Sequence, residues 1–405
     1  MINKGFEKYK IENKNNKNNH LIELINKLNN RMDSLEKENL YLKNEISEIK
    51  NNKSEICIKQ FKKLEKELLS DIKNYIKNEI SKLEIQNLIK EIKSMKRTMN
   101  IFHYNTFYLK HTKTIKNHLN NINKISLFPN GNIISVSSDK SIKIYDQNFS
   151  LINNIENAHD DCIRYISILD NENFITCSDD KSLKIWKKNS KKNNTFELLE
   201  TISNAHKDRI DKVIYLKSKK KIISCSDDST IKIWEKAKNK YQCINTILNT
   251  DSCYISSILE IPDKNLLISG GGDGVIIWDI INYKKIKLIN NAFCSCWNAM
   301  KKFDEERIIV GGGYNGIMKV ININDGIVVK DIKNYSKCWG ILVIDNGVFF
   351  TGGEDKAIRI YRIDNYENIS IIKNAHDSDI NGFCFIKDGL IVSYSHDKNI
   401  KIWIY

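Results

Sequence analysis

Long apolar segments are absent from this chain of 405 residues. No apolar run approaches 18 residues, and the first ten residues, MINKGFEKYK, lack the apolar core of a signal peptide. We therefore expect a protein that is neither secreted nor membrane-spanning. Its expected location is the reducing cytoplasm, with the nucleus as the alternative.

Cysteine and the usual catalytic signatures are also scarce. Ten cysteines are too few for a disulfide scaffold, and Cys294 and Cys296 form a lone CxC without the partners that complete a zinc site. The sequence has no phosphate loop and no isolated nucleophile pair. We expect a non-enzymatic protein with no catalytic residues, no metal and no cofactor.

The charge that is present is mostly basic, with a formal net charge of +14. Residues 1–100 carry 22 Lys+Arg against 15 Asp+Glu, and residues 101–405 carry 42 against 35, so the first hundred residues are the more densely basic. Such charge favours RNA, the cytoskeleton or an acidic membrane surface. A Lys- and Asn-rich composition on solvated surfaces is the alternative explanation.

One phrase recurs along most of the chain. ITCSDDKSLKIW ends at Trp186 and ISCSDDSTIKIW ends at Trp234, 48 residues later. Related phrases end at Tyr145, Trp278, Ile321, Tyr361 and Trp403, with spacings of 40 to 48 residues. Each combines a turn built on Asp with a short alternating strand. A period in the forties with such strands predicts the blades of a β-propeller.

The repeated phrases resemble WD40 repeats, because spacing, turn residue and terminal aromatic all recur. The resemblance implies an all-β, seven-bladed propeller over residues 107–405. It also implies a structural tetrad of His, Ser or Thr, Asp and Trp in each complete blade. The matching sets are His159, Thr176, Asp180 and Trp186; His206, Ser224, Asp228 and Trp234; His376, Ser393, Asp397 and Trp403; and, with tyrosine in place of tryptophan, His118, Ser135, Asp139 and Tyr145.

A His–Ser/Thr–Asp set also invites a catalytic interpretation. Several copies around one ring favour a structural role instead. Blades four, five and six lack the His, and blade five has Asn315 and Ile321 where Asp and Trp are expected. We expect packing, helped by glycines, to hold these three blades together.

The chain stops at Tyr405, just after the seventh IKIW strand, so the last blade lacks an outer strand. The strand-like segment 107–117 precedes blade one. We expect it to complete the last blade and close the ring.

Residues 20–96 have a helical pattern. Leu21, Leu28, Leu35, Leu42 and Ile49 recur every seven residues, and Asn39 occupies the complementary core line. This leucine zipper over 21–49, with less regular helix over 56–95, predicts an α-helical coiled-coil stem and a parallel homodimer. A single helix packed on the propeller, or pairing with another helix, is the alternative. Residues 1–19 are expected to be disordered and 97–106 to be a linker.

The resemblance also implies partner-binding positions on one face of the propeller. They flank the opening apolar residue of each first strand or precede the turn Asp. Blades five and six add a repeated CW dipeptide, whose tryptophans either bind partners or replace missing packing. The candidate partner-binding residues are Arg164, Arg209, Asp211, Trp297, Tyr314, Trp339, Glu354, Asp379, Asn381 and His396.

These features predict a non-catalytic scaffold that binds partner proteins or peptides and is dimerised by its stem. One alternative uses the basic stem to bind RNA, cytoskeleton or an acidic membrane surface. Another is a signalling propeller resembling a G-protein β subunit, and a third is a substrate receptor of a ubiquitin ligase. Which partner the chain serves is not encoded in these patterns.

Overall fold

The structure is a computed structural model that describes residues 109–404, except for 171–172, 190–194, 249–253, 273, 291, 293, 295–297, 313–315, 345–346 and 387–388. The expected disordered segment, the coiled-coil stem with its dimerisation positions, and the linker all lie outside the described residues. No helix within the described residues is long and apolar enough to cross a membrane.

Within the described residues the strands form seven antiparallel sheets of four strands each, which we call blades one to seven. The first of these described strands, β1 (Lys110–Ile115), belongs to blade seven. Blade one is β2 (Ile122–Leu127), β3 (Ile133–Ser137), β4 (Ile142–Tyr145) and β5 (Leu151–Ile155). Blade two is β6 (Ile163–Ile168), β7 (Asn173–Ser178), β8 (Leu183–Lys188) and β9 (Phe196–Ile202). Blade three is β10 (Ile210–Leu216), β11 (Lys221–Ser226), β12 (Thr230–Ala237) and β13 (Lys240–Leu248).

The remaining blades continue in the same order. Blade four is β14 (Ile255–Ile261), β15 (Leu266–Gly271), β16 (Val275–Asp279) and β17 (Lys284–Ile289). Blade five is β18 (Met300–Lys302), β19 (Arg307–Val310), β20 (Ile317–Asn322) and β21 (Val328–Lys333). Blade six is β22 (Cys338–Ile344), β23 (Val348–Gly353), β24 (Ile358–Arg362) and β25 (Asn368–Ile372). Blade seven is β26 (Ile380–Phe385), β27 (Leu390–Ser395), β28 (Ile400–Ile404) and, outermost, β1.

The first strand of each blade lies at the inner edge of its sheet. It pairs within the sheet on one side only, and it contacts the first strands of the neighbouring blades. The seven first strands therefore surround a central channel, and the chain forms a seven-bladed β-propeller.

The hydrophobic core lies between successive blades. On β8, Leu183 and Ile185 are buried while Lys184 between them is half-exposed, as the alternation of a strand requires. Trp234 of blade three packs in one cluster with these two residues of blade two. Cys177 belongs to the same cluster as a free thiol. Burial raises its pKa well above the usual value, so the sulfur acts as a small apolar group.

The ring is closed by β1, which pairs antiparallel with β28 from Lys110 opposite Ile404 to Ile115 opposite Ile400. Thr112 Oγ1 donates a hydrogen bond to the carbonyl of Ile402 at 3.1 Å. Ile115 is buried against the core. The first strand in the sequence thus covers the edge that the last strand would otherwise expose.

A β-bulge recurs at the start of the first strand. In β6 the register shifts between Ile163 and Tyr165, which leaves Arg164 outside the ladder. The same shift occurs in five other blades, and the residues left outside the ladder there are Asn123, Asp211, Ser256, Trp339 and Asn381. A bulge re-aims a side chain without breaking the sheet. We call these six positions the bulge ring.

Blades four to six are held partly as expected and partly by a hydrogen-bond network that was not expected. A Cβ on Gly270 would lie 2.6 Å from Cys294 Cβ, so glycine lets the next blade approach closely. In blade six, however, Asn334 takes the place of the missing His. Its buried Oδ1 accepts hydrogen bonds from Thr351 Oγ1 at 2.8 Å and from the Tyr361 hydroxyl at 3.2 Å. Packing helped by glycines was the expectation for these blades, and in blade six a hydrogen-bond network contributes as well.

Candidate protein-binding face of the propeller

The tetrads mark one end of the propeller. In blade two, His159 lies in the segment that enters the blade, and Asp180 lies in the turn between β7 and β8; their side chains are hydrogen-bonded at 2.8 Å. The entering segments and these turns therefore share one end of the ring, which we call the tetrad face.

Each tetrad is a chain of hydrogen bonds. In blade two, Trp186 Nε1 donates to Thr176 Oγ1 at 2.9 Å, Thr176 lies 2.8 Å from His159 Nε2, and His159 Nδ1 lies 2.8 Å from Asp180. With the indole as the first donor, the consistent assignment has Thr176 donating to His159, and His159 donating to the carboxylate.

The other sets repeat this geometry. Blades three and seven keep all four members, through Trp234 and Trp403 bonded to Ser224 and Ser393. The ring nitrogens of His206 and His376 are bonded to the Ser and Asp of their sets. Blade one has the His118–Ser135 and His118–Asp139 contacts, with Tyr145 buried in place of tryptophan. All four imidazoles are fully buried, so substrate could not reach them and they do not form catalytic triads.

Two kinds of side chain that support the tetrads by hydrogen bonds were not identified from the sequence. The hydroxyl two residues after the turn Asp donates to that Asp at 2.6 Å, as Ser182 and Thr230 do. The lysine of the IKIW strand caps the carbonyl of the alanine before the tetrad His; Lys184 and Lys232 donate to Ala158 and Ala205. Both residues recur in the repeated phrase, so the signal was present in the sequence.

The electrostatics of the tetrads predict acid sensitivity. Burial lowers the pKa of His159, His206, His376 and His118 despite the opposing Asp. Burial alone would raise the pKa of Asp180, but hydrogen bonds from His159 and Ser182 outweigh it and hold that pKa well below its usual value. For both types of group the unfolded chain binds more protons than the folded chain as pH falls, so acid destabilises the fold.

We therefore expect the thermal unfolding midpoint to decrease as pH falls below about 6.5, the ordinary pKa of His, and to decrease further below about 3.9, that of Asp. Circular dichroism melts from pH 8 to pH 3 at constant ionic strength would measure this. A midpoint that is constant or rises between pH 7 and pH 5 would contradict the assignment of neutral, buried tetrad histidines.

The two classes of predicted partner-binding residues lie side by side on the tetrad face. The residue before the turn Asp donates its backbone N–H to the residue before the opening apolar position, as His396 does to Asp379 at 2.9 Å and Glu354 does to Lys337 at 3.2 Å. The residue after the opening position is the bulge-ring residue. One rim around the channel mouth therefore carries both classes.

Blades two and three fill this rim with ion pairs. Arg164 binds Asp179 through two hydrogen bonds, Nε to Oδ1 at 2.6 Å and Nη2 to Oδ2 at 2.8 Å. The half-exposed Arg209 lies 2.6 Å from Asp227. Asp211 is buried, and that burial, together with the charge of Asp227, raises its pKa well above the usual range although Arg164 and Arg209 oppose it.

Blades six and seven present an aromatic group instead. Trp339, a bulge-ring residue, is half-buried, with Lys337 Nζ 4.5 Å above its ring and the His396 ring 5.9 Å away. Asp379 lies 3.6 Å from His396, and Glu354 is exposed. Trp339, Lys337, His396, Asp379 and Glu354 form the surface that we call the Trp339 patch.

The remaining candidates differ in position. Asn381 is buried, and its Nδ2 donates to the Ile122 carbonyl of blade one at 2.8 Å. Neither Asn381 nor Asp211 offers its side chain to a partner in this conformation. Trp297 and Tyr314 lie outside the described residues.

Comparison with known proteins agrees with this architecture. The family model described as "WD domain, G-beta repeat" matches residues 109–146, 150–187, 196–235 and 368–403. The chain carries WD40 repeats on a seven-bladed propeller. Each matched segment begins with an outermost strand and ends with the strand that carries the terminal aromatic. The matched segments are those whose tetrad includes a His; the unmatched part of the propeller is where glycine and Asn334 replace it.

One curated relative is a protein named Myosin heavy chain kinase C from Dictyostelium discoideum, 28% identical over 123 residues. The match covers 30% of this chain and 16% of that protein. WD40 propellers are typically non-catalytic and bind proteins or peptides.

Proposed function

We propose that this chain is a non-catalytic scaffold whose WD40 propeller binds partner proteins through the Trp339 patch. The observation that carries the proposal is a half-exposed tryptophan on a β-bulge of the tetrad face, with Lys337 Nζ over its ring and the His396 ring beside it. Tryptophan and charged side chains clustered around a rigid site are typical of interface hot spots.

The charges of the patch indicate the kind of partner. The largely buried Lys337 contributes a positive charge, while the half-exposed Asp379 and the exposed Glu354 contribute negative charges. A peptide segment with an apolar anchor and charges of both signs would complement this mixture better than a nucleic-acid backbone would. An extended segment lying across the rim could also reach Arg209, whose guanidinium is half-exposed.

The heptads of residues 21–49 add a proposed second element, a parallel homodimer. Two propellers on one stem would bind clustered targets with raised apparent affinity through effective concentration. The intact chain should then show twice its monomer mass of 47.1 kDa in light scattering, and a monomer mass would remove the homodimer from the proposal.

Trp339→Ala is expected to abolish capture of the specific partners that the intact chain retains from cell extract. Truncating a central hot-spot aromatic typically costs about 2 kcal/mol or more, or at least about thirtyfold in affinity. The readout is pull-down followed by quantitative mass spectrometry.

Phe385→Ala is the matched control, because Phe385 is an exposed aromatic at the opposite end of a neighbouring first strand. Both variants must keep the wild-type unfolding midpoint and oligomeric mass. If the partner set of Trp339→Ala equals that of the control, the tryptophan serves packing, and the tetrad-face proposal fails.

A further inference from the structure

The residue that follows each bulge-ring position forms a second ring, which we call the channel ring. Its members are Lys124, Tyr165, Lys212 and Ser257 in blades one to four and Gly340 and Gly382 in blades six and seven. In blade five, Asn298 is bridged to Gly340. The six members sit on first strands, which are the strands that surround the channel. Their side chains therefore determine which chemical groups line the channel.

Three lysines meet in this channel. Lys124 Nζ lies 5.0 Å and Lys212 Nζ 5.1 Å from the centre of the same Tyr165 ring, and Lys212 Nζ lies 3.1 Å from Ser257 Oγ. Lys301 of blade five interacts electrostatically with Lys124 and Tyr165. Blade five lies across the ring from blades one and two, and Lys301 lies on its innermost strand, β18.

These ammonium groups are costly to keep there. Lys124 is 8% and Lys212 3% exposed. Burial lowers the pKa of all three lysines, and repulsion among them lowers the pKa of Lys212 and Lys301 further. Among the described residues, neither Lys124 nor Lys301 forms an ion pair with a carboxylate. Lys124 and Lys301 are thus, in the described part of the chain, cations without a partner carboxylate, and such groups are poised for an external anion.

The other wall of the channel limits the size of that anion. Asn298 Nδ2 reaches across to the carbonyls of Asn123 and Asn381, each at 3.1 Å. A Cβ on Gly340 would come within 2.4 Å of Gly382 Cα, so the inner strands of blades six and seven nearly touch. This close approach excludes a polypeptide from that end of the channel, so the ligand considered for the lysine side is a small ion.

We propose that the propeller channel binds a small phosphate-type oxyanion between the ammonium groups of Lys124, Lys212 and Lys301. Several acceptor oxygens on one compact group let one ligand satisfy three donors at once, and lysine binds phosphate as a point charge. Bound there, the anion would join blades one, three and five and stabilise the ring. This site is separate from the Trp339 patch and does not depend on partner binding.

Lys301→Gln in the full chain tests the proposal, with pyrophosphate as the probe. In the wild-type protein, millimolar pyrophosphate should raise the thermal unfolding midpoint above that in sodium chloride of equal ionic strength, and calorimetry should detect binding. Lys301→Gln should weaken that binding by at least about tenfold, since a charge-assisted hydrogen bond is lost. Without pyrophosphate the same variant should melt at or above the wild-type temperature, because a desolvated charge is gone.

Lys302→Gln is the matched control, because Lys302 is the next residue and pairs with Asp263 at 3.2 Å instead of facing the channel lysines. It should keep the wild-type response to pyrophosphate. Two outcomes overturn the proposal: a wild-type midpoint that responds to pyrophosphate no more than to chloride, or an equal response in Lys301→Gln. The second outcome would place the anion elsewhere on this basic chain.

Discussion

Deleting residues 109–115 is expected to destabilise the whole propeller rather than to shorten its N-terminal end. The deletion removes β1, exposes the edge of β28 and uncovers apolar surface around Ile115. At about 1 kcal/mol for each ladder hydrogen bond, plus the lost burial, the cost is comparable to a net stability of about 5–15 kcal/mol. Circular dichroism should show a large loss of the cooperative melt.

Two substitutions in β1 test whether its pairing with β28, and not merely the presence of the N-terminal segment, stabilises the ring. In an antiparallel ladder alternate residues point their N–H toward the partner, so prolines at Lys113 and Thr114 must remove one hydrogen bond to β28. The lost hydrogen bond and the acceptor left without its donor should together cost about 1–3 kcal/mol. The control, alanine at both positions, keeps the ladder. If the proline pair melts like the alanine pair, β1 does not hold the ring closed.

Asp180→Ala is expected to produce the second large effect. The carboxylate accepts hydrogen bonds from His159, from the backbone of Asp160 and from Ser182. Leaving the buried donors of His159 and Ser182 unsatisfied should cost about 3 kcal/mol or more, which lowers the unfolding midpoint by several degrees.

Asp263→Ala supplies the comparison, because its exposed carboxylate makes one surface ion pair with Lys302. A change within about 0.5 kcal/mol is expected there. Thermal and urea denaturation of both variants would measure the difference. Equal midpoints would mean that the tetrad does not stabilise the blade, and the repeated His would need another explanation.

The blades were predictable because their signals are local. Turn, strand and terminal aromatic fall within about a dozen residues, as in SDDKSLKIW, and their period indicates the propeller. Asn334 was missed because its signal lies in its position and not in its residue type. It lies 17 residues before Thr351, the same separation as between His159 and Thr176, but a different side chain performs the role. Spacing carried the information where residue identity did not.

The channel and rim were less accessible to prediction because they are assembled around the ring. Lys124 and Lys301 are 177 positions apart in the sequence, and their interaction depends on closure of the propeller. The raised pKa of Asp211 likewise depends on its burial and on the charge of Asp227 in the folded rim. Candidate positions could be assigned by repeat register, whereas their exposure required the tertiary structure.

The recurrent bulge combines a shared backbone geometry with side chains that vary. In six blades one residue lies outside the strand pairing, and these residues differ in charge, size and polarity: Asn123, Arg164, Asp211, Ser256, Trp339 and Asn381. Four of the six are buried and only Arg164 and Trp339 are partly exposed, so substitution of these two alters what the rim displays while the ladder on either side is unchanged. The repeat thus behaves as a fixed backbone frame, and a single codon change at either of these two positions changes the chemistry of the rim without rebuilding the ring.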